Sequence, residues 1–259
     1  MPYTTIKIDV DVRGVATLYL DRPEKHNALS AEMIAEMTMA ARELSLNRDI
    51  RVVVLAAQGK SFCAGGDLGW MKEQMSADRA QRIREARKLA EMLHAWNEMG
   101  KPVIGRVHGN AFGGGVGMIS VCDIAFCSKN AKFGLTETRL GLIPATISPY
   151  VVAKMGEGKA REVAMSARIF DAERACALNL VAQVVDDLDV AIEAEIEAYL
   201  ATAPEAVAAT KALLRSLGPR IDEDVIAATI ERLADTWEGA EASEGIDAFF
   251  NKRKADWIR

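Results

Sequence analysis

Two short apolar runs each give way to a glycine-rich loop, and this pairing limits the folds open to the chain. Val52-Val53-Val54-Leu55-Ala56 is one run and Val103–Val107 is the other. Unbroken runs of this length fit strands covered on both faces, as in a parallel sheet. Helical patterns lie around them. Ser30 reads as a cap with Glu32 in the first turn, ahead of a periodic run to about Leu46. A longer stretch, from about Ala77 to Met99, stops at Gly100 with Pro102 just beyond. The opening reads as two strands, Ile6–Val12 and Val15–Leu20, joined by an Arg13-Gly14 turn. Strands alternating with helices predict an α/β core of crossover units. Beyond about Leu188 the pattern is helical only: Val190–Leu200, Pro204–Leu217, Asp222–Trp237 and Ser243–Lys254. The chain therefore divides into an α/β body, residues 1–195, and a helical C-terminal region, residues 196–259. It contains no sequence-level repeat and no low-complexity linker.

Composition narrows the function classes. Half of the 259 residues are apolar, enough for a sizeable core. No stretch approaches the ~18–20 apolar residues of a membrane span, and Met1 to Thr5 carry no signal pattern. A cytoplasmic, reducing compartment is expected. The net charge of −5 argues against a broad nucleic-acid face, although local basic patches can still meet a phosphorylated ligand. Cys63, Cys122, Cys127 and Cys176 form no CxxC or Cys/His array and read as core thiols. His26, His94 and His108 fit no metal motif, so no metal is expected.

The chemistry is expected in the glycine loops. The first is Ser61-Phe62-Cys63-Ala64-Gly65-Gly66-Asp67-Leu68; the second runs from His108 to Gly117, includes Gly113-Gly114-Gly115, and enters a helix. Glycine lets backbone amides turn toward a ligand at close range, and a helix start leaves free N–H groups at its positive end. Such amides suit a developing oxyanion. Neither loop fits GxGxxG or GxxxxGK[ST], and no GxSxG elbow is present. The acid or base must then be a carboxylate. Glu137 stands in a polar interruption after Phe133-Gly134-Leu135-Thr136; taken alone, a glutamate there reads as a solvated surface group.

Together these features resemble the enoyl-CoA hydratase/isomerase family, also called the crotonase superfamily. The likeness covers nearly the whole chain. It begins at Arg22-Pro23-Glu24-Lys25-His26-Asn27-Ala28-Leu29 and continues through Phe62–Asp67, Gly109–Gly115, Cys122-Asp123-Ile124 and Phe133-Gly134. Glu137, Leu140–Pro144, Glu244-Gly245 and Phe249–Lys254 complete it. The resemblance implies a spiral of ββα repeats forming an acyl-CoA-binding core, with C-terminal helices that build a homotrimer or a hexamer of two trimers. It implies that the amides of Gly66 and Gly114 form an oxyanion hole and that Glu137 is the acid or base. Coenzyme A would lie against Lys25, His26, Ala28, Ala64, Asp67 and Leu68, and would also meet Phe249. Lys252 would reach a neighbouring subunit's nucleotide, its bland alternative being an exposed lysine. Coenzyme A is part of the substrate, and no further cofactor is implied.

One position departs from the family pattern. Two-glutamate hydratases of the family carry their first glutamate where this chain has Gly117, as family isomerases that shift a double bond commonly do not. The run Thr138–Val152 resembles a branch assigned as methylglutaconyl-CoA or isohexenylglutaconyl-CoA hydratases of leucine and terpenoid breakdown, whose members also lack that glutamate. Arg139 is then the candidate partner for a substrate carboxylate, and Gly117 is expected to leave room for a bulkier substrate or a water. Locally, Ser148-Pro149 reads as an N-cap and first-turn proline. Hydration of an enoyl-CoA is the leading expectation and Δ3,Δ2-enoyl-CoA isomerisation the closest rival. A non-catalytic or RNA-binding role is a third reading, disfavoured by the acidic balance and by the retained Gly66, Gly114 and Glu137.

Overall fold

The strands are dealt between two sheets in a repeating order, and that order brings the glycine loops together. The computed structural model describes residues 3–259; Met1 and Pro2, part of the stretch read as lacking a signal pattern, lie outside the described residues. The chain opens with β1 (Ile6–Val10), β2 (Val15–Leu20) and α1 (Ala31–Leu46). The second turn is β3 (Val52–Ala57), β4 (Ser61–Cys63), α2 (Leu68–Ser76) and α3 (Arg79–Glu98). The third is β5 (Val103–Val107), β6 (Asn110–Phe112) and α4 (Gly114–Ser120). Then come β7 (Ile124–Ser128), β8 (Lys132–Gly134), a 3₁₀ turn at Glu137–Leu140, α5 (Ser148–Met155) and α6 (Glu157–Ser166). β9 (Phe170–Asp171), α7 (Ala172–Ala177) and β10 (Gln183–Val185) close the body. Four helices follow: α8 (Leu188–Leu200), α9 (Pro204–Leu217), α10 (Glu223–Glu238) and α11 (Ala240–Phe250).

Of each strand pair in the second to fourth turns, the first joins a six-stranded sheet, β1-β2-β3-β5-β7-β10, and the second joins a four-stranded sheet, β4-β6-β8-β9. This is the expected ββα spiral. β3 is buried at every position, as its unbroken apolar run requires, and pairs in parallel with β2 and β5. β4, β6 and β8 are adjacent and parallel, so their C-terminal ends open on the same side. The core lies between the large sheet and α1 and α3, with Leu18, Leu20, Met33, Leu55 and Trp96 sealed from solvent. No helix among the described residues is long and apolar enough to cross a membrane.

Several expected boundaries move for identifiable reasons. β1 stops at Val10 because the Asp11 carboxylate accepts from the N–H groups of Arg13 and Val15 and starts the turn. The stretch read as a helix from about Ala77 to Met99 is α3, and a further short helix precedes it. Asp78 caps α3 through the Gln81 N–H, while Asp67 caps a separate α2 that the pattern did not disclose. Ser148 is the first residue of α5 rather than its cap; Ile147 holds the cap position, and the Ser148 hydroxyl donates to the Pro144 carbonyl at 2.6 Å. The last helix runs Ala240–Phe250 and ends before Lys252, which sits at φ +53. The division expected at 195/196 falls inside α8.

Candidate active site

Three loops leave the C-terminal ends of β4, β6 and β8, which are neighbours in one sheet, and they carry Gly66, Gly114 and Glu137. In parallel sheets this is where ligands collect. The first loop turns at Gly65, whose φ of +95° favours glycine. It is then fixed against the Leu29 backbone: the Leu29 N–H donates to Gly65 O at 2.7 Å, and the Asp67 N–H donates to Leu29 O at 3.0 Å. In a parallel bridge of this form the middle residue's N–H points away from its partner, so the Gly66 amide faces off Leu29.

The second loop pivots at Gly113, with φ +48° and ψ −115°. Its N–H donates to Gly134 O at the end of β8, 2.9 Å away. Gly114 is the first residue of α4, where a helix leaves N–H groups without intrahelical acceptors. The loops touch: a β-carbon on Gly113 would lie 3.8 Å from Gly65 Cα, and one on Gly114 would lie 2.5 Å from Leu29 Cδ1. Leu29 thus sits between the two amide-bearing glycines.

Glu137 closes the corner. A β-carbon on Gly113 would stand 2.9 Å from Glu137 Oε1, so the missing side chain is what admits the carboxylate. Glu137 as a residue is half-buried, yet its Oε2 is sealed from solvent with no hydrogen-bond partner among the described residues. Since the carboxyl oxygens carry the charge, their desolvation governs the titration. Burial pushes Glu137 up to about 7, against a smaller opposing pull from the N–H groups of Glu137 and Thr136. The turn carrying it is held by α11. β-Carbons on Gly141 and Gly245 would lie 2.3 Å from Glu241 and 2.6 Å from Leu140, so both glycines serve close packing.

The remaining expected residues divide into two groups. Lys25, His26, Ala28, Ala64, Asp67 and Leu68 come together around the first loop: the Ala64 N–H donates to His26 O at 3.0 Å, and His26 Nδ1 lies 3.1 Å from Ser61 Oγ. Asp67 caps α2 through the N–H of Gly69 and pairs with Arg22 at 3.1 Å. Burial raises the Asp67 carboxyl, but those N–H donors and Arg22 hold it below the usual range. Lys25, Ala64 and Leu68 are exposed beside them. Phe249 and Lys252 stand apart, exposed at the end of α11 and just past it.

Gly117 is a correction. The space beside it is filled rather than open, since a β-carbon there would meet Ile147 Cγ2 at 2.4 Å and Leu93 Cδ1 at 3.8 Å. The side chain absent from α4 is replaced by Ile147 from the start of α5. Sequence reasoning missed Ile147, and it missed Trp70 and Met71 of α2, which pack within 3.9 Å of a β-carbon position on Gly66. Cys63, directly behind the first loop, is buried and its thiol is pushed up to about 12, which leaves it inert. A cavity of about 1070 Å³ along α9 shares no residue with this corner.

The arrangement offers two loop amides and one carboxyl poised near neutrality at the junction of two loops, which suits stabilising an oxyanion while moving a proton. A family model described as Enoyl-CoA hydratase/isomerase matches residues 11–259. A putative enoyl-CoA hydratase of Thermus thermophilus is 32% identical, over 95% of this chain and 98% of its own length. A mitochondrial Delta(3,5)-Delta(2,4)-dienoyl-CoA isomerase of Dictyostelium discoideum is also 32% identical, over 94% of this chain and 87% of its own. The crystal structure of an enoyl-CoA hydratase from Shewanella pealeana has a TM-score of 0.82 at 39% identity, covering 98% of this chain and 96% of that one. With a corner built this way and likeness along its whole length, the chain belongs to the enoyl-CoA hydratase/isomerase family.

Proposed function

We propose that the chain adds water across the 2,3 double bond of an enoyl-CoA, with Gly66 and Gly114 donating N–H groups to the thioester oxygen and Glu137 as the acid and base. Attack at the β-carbon drives negative charge onto the thioester oxygen. Two fixed amides stabilise that charge without reorganising. Glu137 takes a proton from water and returns one to the α-carbon. A carboxyl poised near neutrality can do both. The observation that carries the reading is the Glu137 carboxyl where the two loops meet, its Oε1 packed on Gly113 and its Oε2 sealed and unpartnered among the described residues.

Glu137→Gln keeps the shape and removes the proton exchange. Turnover of an enoyl-CoA is expected to fall by about 10²–10⁴-fold while thioester binding persists; retained turnover would refute the role. Isomerisation between the 3- and 2-enoyl forms is the second reading, and Ile147 favours it, because an apolar wall beside Gly117 leaves Glu137 without a second carboxylate there. Reaction in ¹⁸O-water followed by mass spectrometry separates the two. Hydration labels the product and isomerisation does not.

The branch resemblance extends the substrate to a branched or carboxylated, glutaconyl-type chain. Arg139, its cationic candidate, is exposed and would meet a carboxylate in water. Assembly into a trimer or hexamer through the C-terminal helices, with Lys252 reaching the neighbour's nucleotide, and a cytoplasmic setting complete the proposal. The unburied apolar side of α9 supports such an assembly.

A further inference from the structure

The Gly66 segment is held by a lone parallel bridge to Leu29, outside every strand, and not by a ladder. The two hydrogen bonds of that bridge join Leu29 to the residues flanking Gly66, namely Gly65 and Asp67. A lone bridge between two loops has no neighbouring pairs to fix it. The Arg22 guanidinium spans it instead. One N–H donates at 2.9 Å to the carbonyl of Ala28, the residue before Leu29, and another at 3.1 Å to the carboxylate of Asp67, the residue after Gly66. The other Asp67 oxygen accepts from the N–H groups of Gly69 and Trp70 at 2.8 and 3.3 Å. The Arg22 and Asp67 side chains are only 18% and 17% exposed, which sets them apart from a freely solvated ion pair. The backbone of Arg22 is anchored in turn. Its N–H donates to Asn27 Oδ1 at 2.8 Å, and its carbonyl accepts from the Asn27 N–H at 3.0 Å. Asn27 is sealed from solvent, and its side-chain amide donates to the carbonyls of Gln58 and Ser61, at the end of β3 and the start of β4.

We infer that Arg22 is a positioning residue for the reaction, setting the direction of the Gly66 N–H and, through Leu29, its spacing from Gly114. The inference rests on the oxyanion reading of those two glycines. Leu29 links them, because the bridge fixes its backbone to the Gly66 segment while its Cδ1 lies 2.5 Å from a β-carbon position on Gly114. A planar guanidinium presents its N–H groups in fixed directions and so holds two acceptors at a set separation; an ammonium on a flexible stem does not. Removing it leaves the Ala28 carbonyl without this donor and the Asp67 carboxylate without its cation. A shift of about 1 Å in a catalytic group can cost on the order of 10²-fold in rate. Because an oxyanion donor acts on charge that develops in the transition state, the loss falls on kcat and not on KM.

The test pairs kinetics with a spectroscopic signature. Hex-2-enoyl-CoA is the substrate, and hexanoyl-CoA labelled with ¹³C at the thioester carbonyl is the non-reacting probe, its carbonyl stretch read by isotope-edited infrared difference spectra. Arg22→Met is expected to lower kcat by about 10–10²-fold, with KM changed by less than about threefold. The carbonyl band of the bound probe, lowered by the two amides in the wild type, is expected to move back toward its value in the free thioester. Arg22→Lys is expected to recover part of both the rate and the band shift. Asp67→Asn removes the pair from the other side while keeping an oxygen for Gly69; it is expected to act as Arg22→Met does, and decides the matter if that variant does not fold. A wild-type kcat and band position in these variants overturns the inference. So does a rise in KM with kcat kept, which marks Arg22 as a substrate contact. If the wild type shifts the band but turns over no enoyl-CoA, the hydratase reading fails and the band comparison alone decides the role of Arg22. If the wild type leaves the band at its free value, the oxyanion reading fails and this inference falls with it.

Discussion

At Glu137 the same desolvation that tunes the proton also costs stability, and the sign can be worked out. The carboxyl titrates near 4.5 when solvated and near 7 in the fold, because burial disfavours its charged form. Its raised value makes a contribution that is fully present below about pH 4.5 and lost as pH rises through about 7. Relative to Glu137→Gln, which cannot ionise, the wild type is expected to lose up to about 3 kcal/mol across that window. Urea unfolding of both proteins at several pH values checks this; parallel stability curves would mean that the carboxyl is solvated. The position of Glu137 was legible in the sequence through the Phe133-Gly134 motif, but its environment was not. The partner that admits it is the absent side chain of Gly113, which no local pattern announces.

Among the elements, those that read correctly owe their form to local signals. α1 has its Ser30 cap, with the Met33 N–H donating to it; β3 has its apolar run; α9 begins at Pro204 as read. α2 escaped notice because it is short, and because its cap Asp67 belongs equally to the glycine loop. The α4–α5 contact escaped because Gly117 and Ile147 meet only in three dimensions. That contact makes its own prediction. Gly117→Ala pushes a methyl into Ile147 and is expected to destabilise the chain by about 1–3 kcal/mol. Ile147→Ala empties the same space, so the double variant should be more stable than the summed single effects by about 1 kcal/mol or more. Strict additivity in a double-mutant unfolding cycle would show that the two residues do not contact.

On the scale of the molecule, the spiral explains why residues far apart in the chain meet: each of the second to fourth turns adds one strand to the small sheet, and the adjacent ends of β4, β6 and β8 bring Gly66, Gly114 and Glu137 into one corner. The helical region after Leu188 was legible from periodicity, whereas the second sheet was not, because its strands are two or three residues long. α9 buries none of its residues in the single chain and leaves Leu213, Leu214 and Leu217 between 57% and 75% exposed. If this face meets other copies, Leu214→Asp with Leu217→Asp is expected to reduce the assembled mass to that of a monomer in light scattering, with circular dichroism unchanged. An unaltered mass would place the assembly surface elsewhere. The convergence of Gly66 and Gly114 on one oxygen is tested most directly by a crystal structure of the Glu137→Gln protein with an enoyl-CoA bound. The thioester oxygen is expected about 2.7–3.1 Å from both main-chain nitrogens; an oxygen held by neither, or lying outside the corner between the two loops, would contradict it.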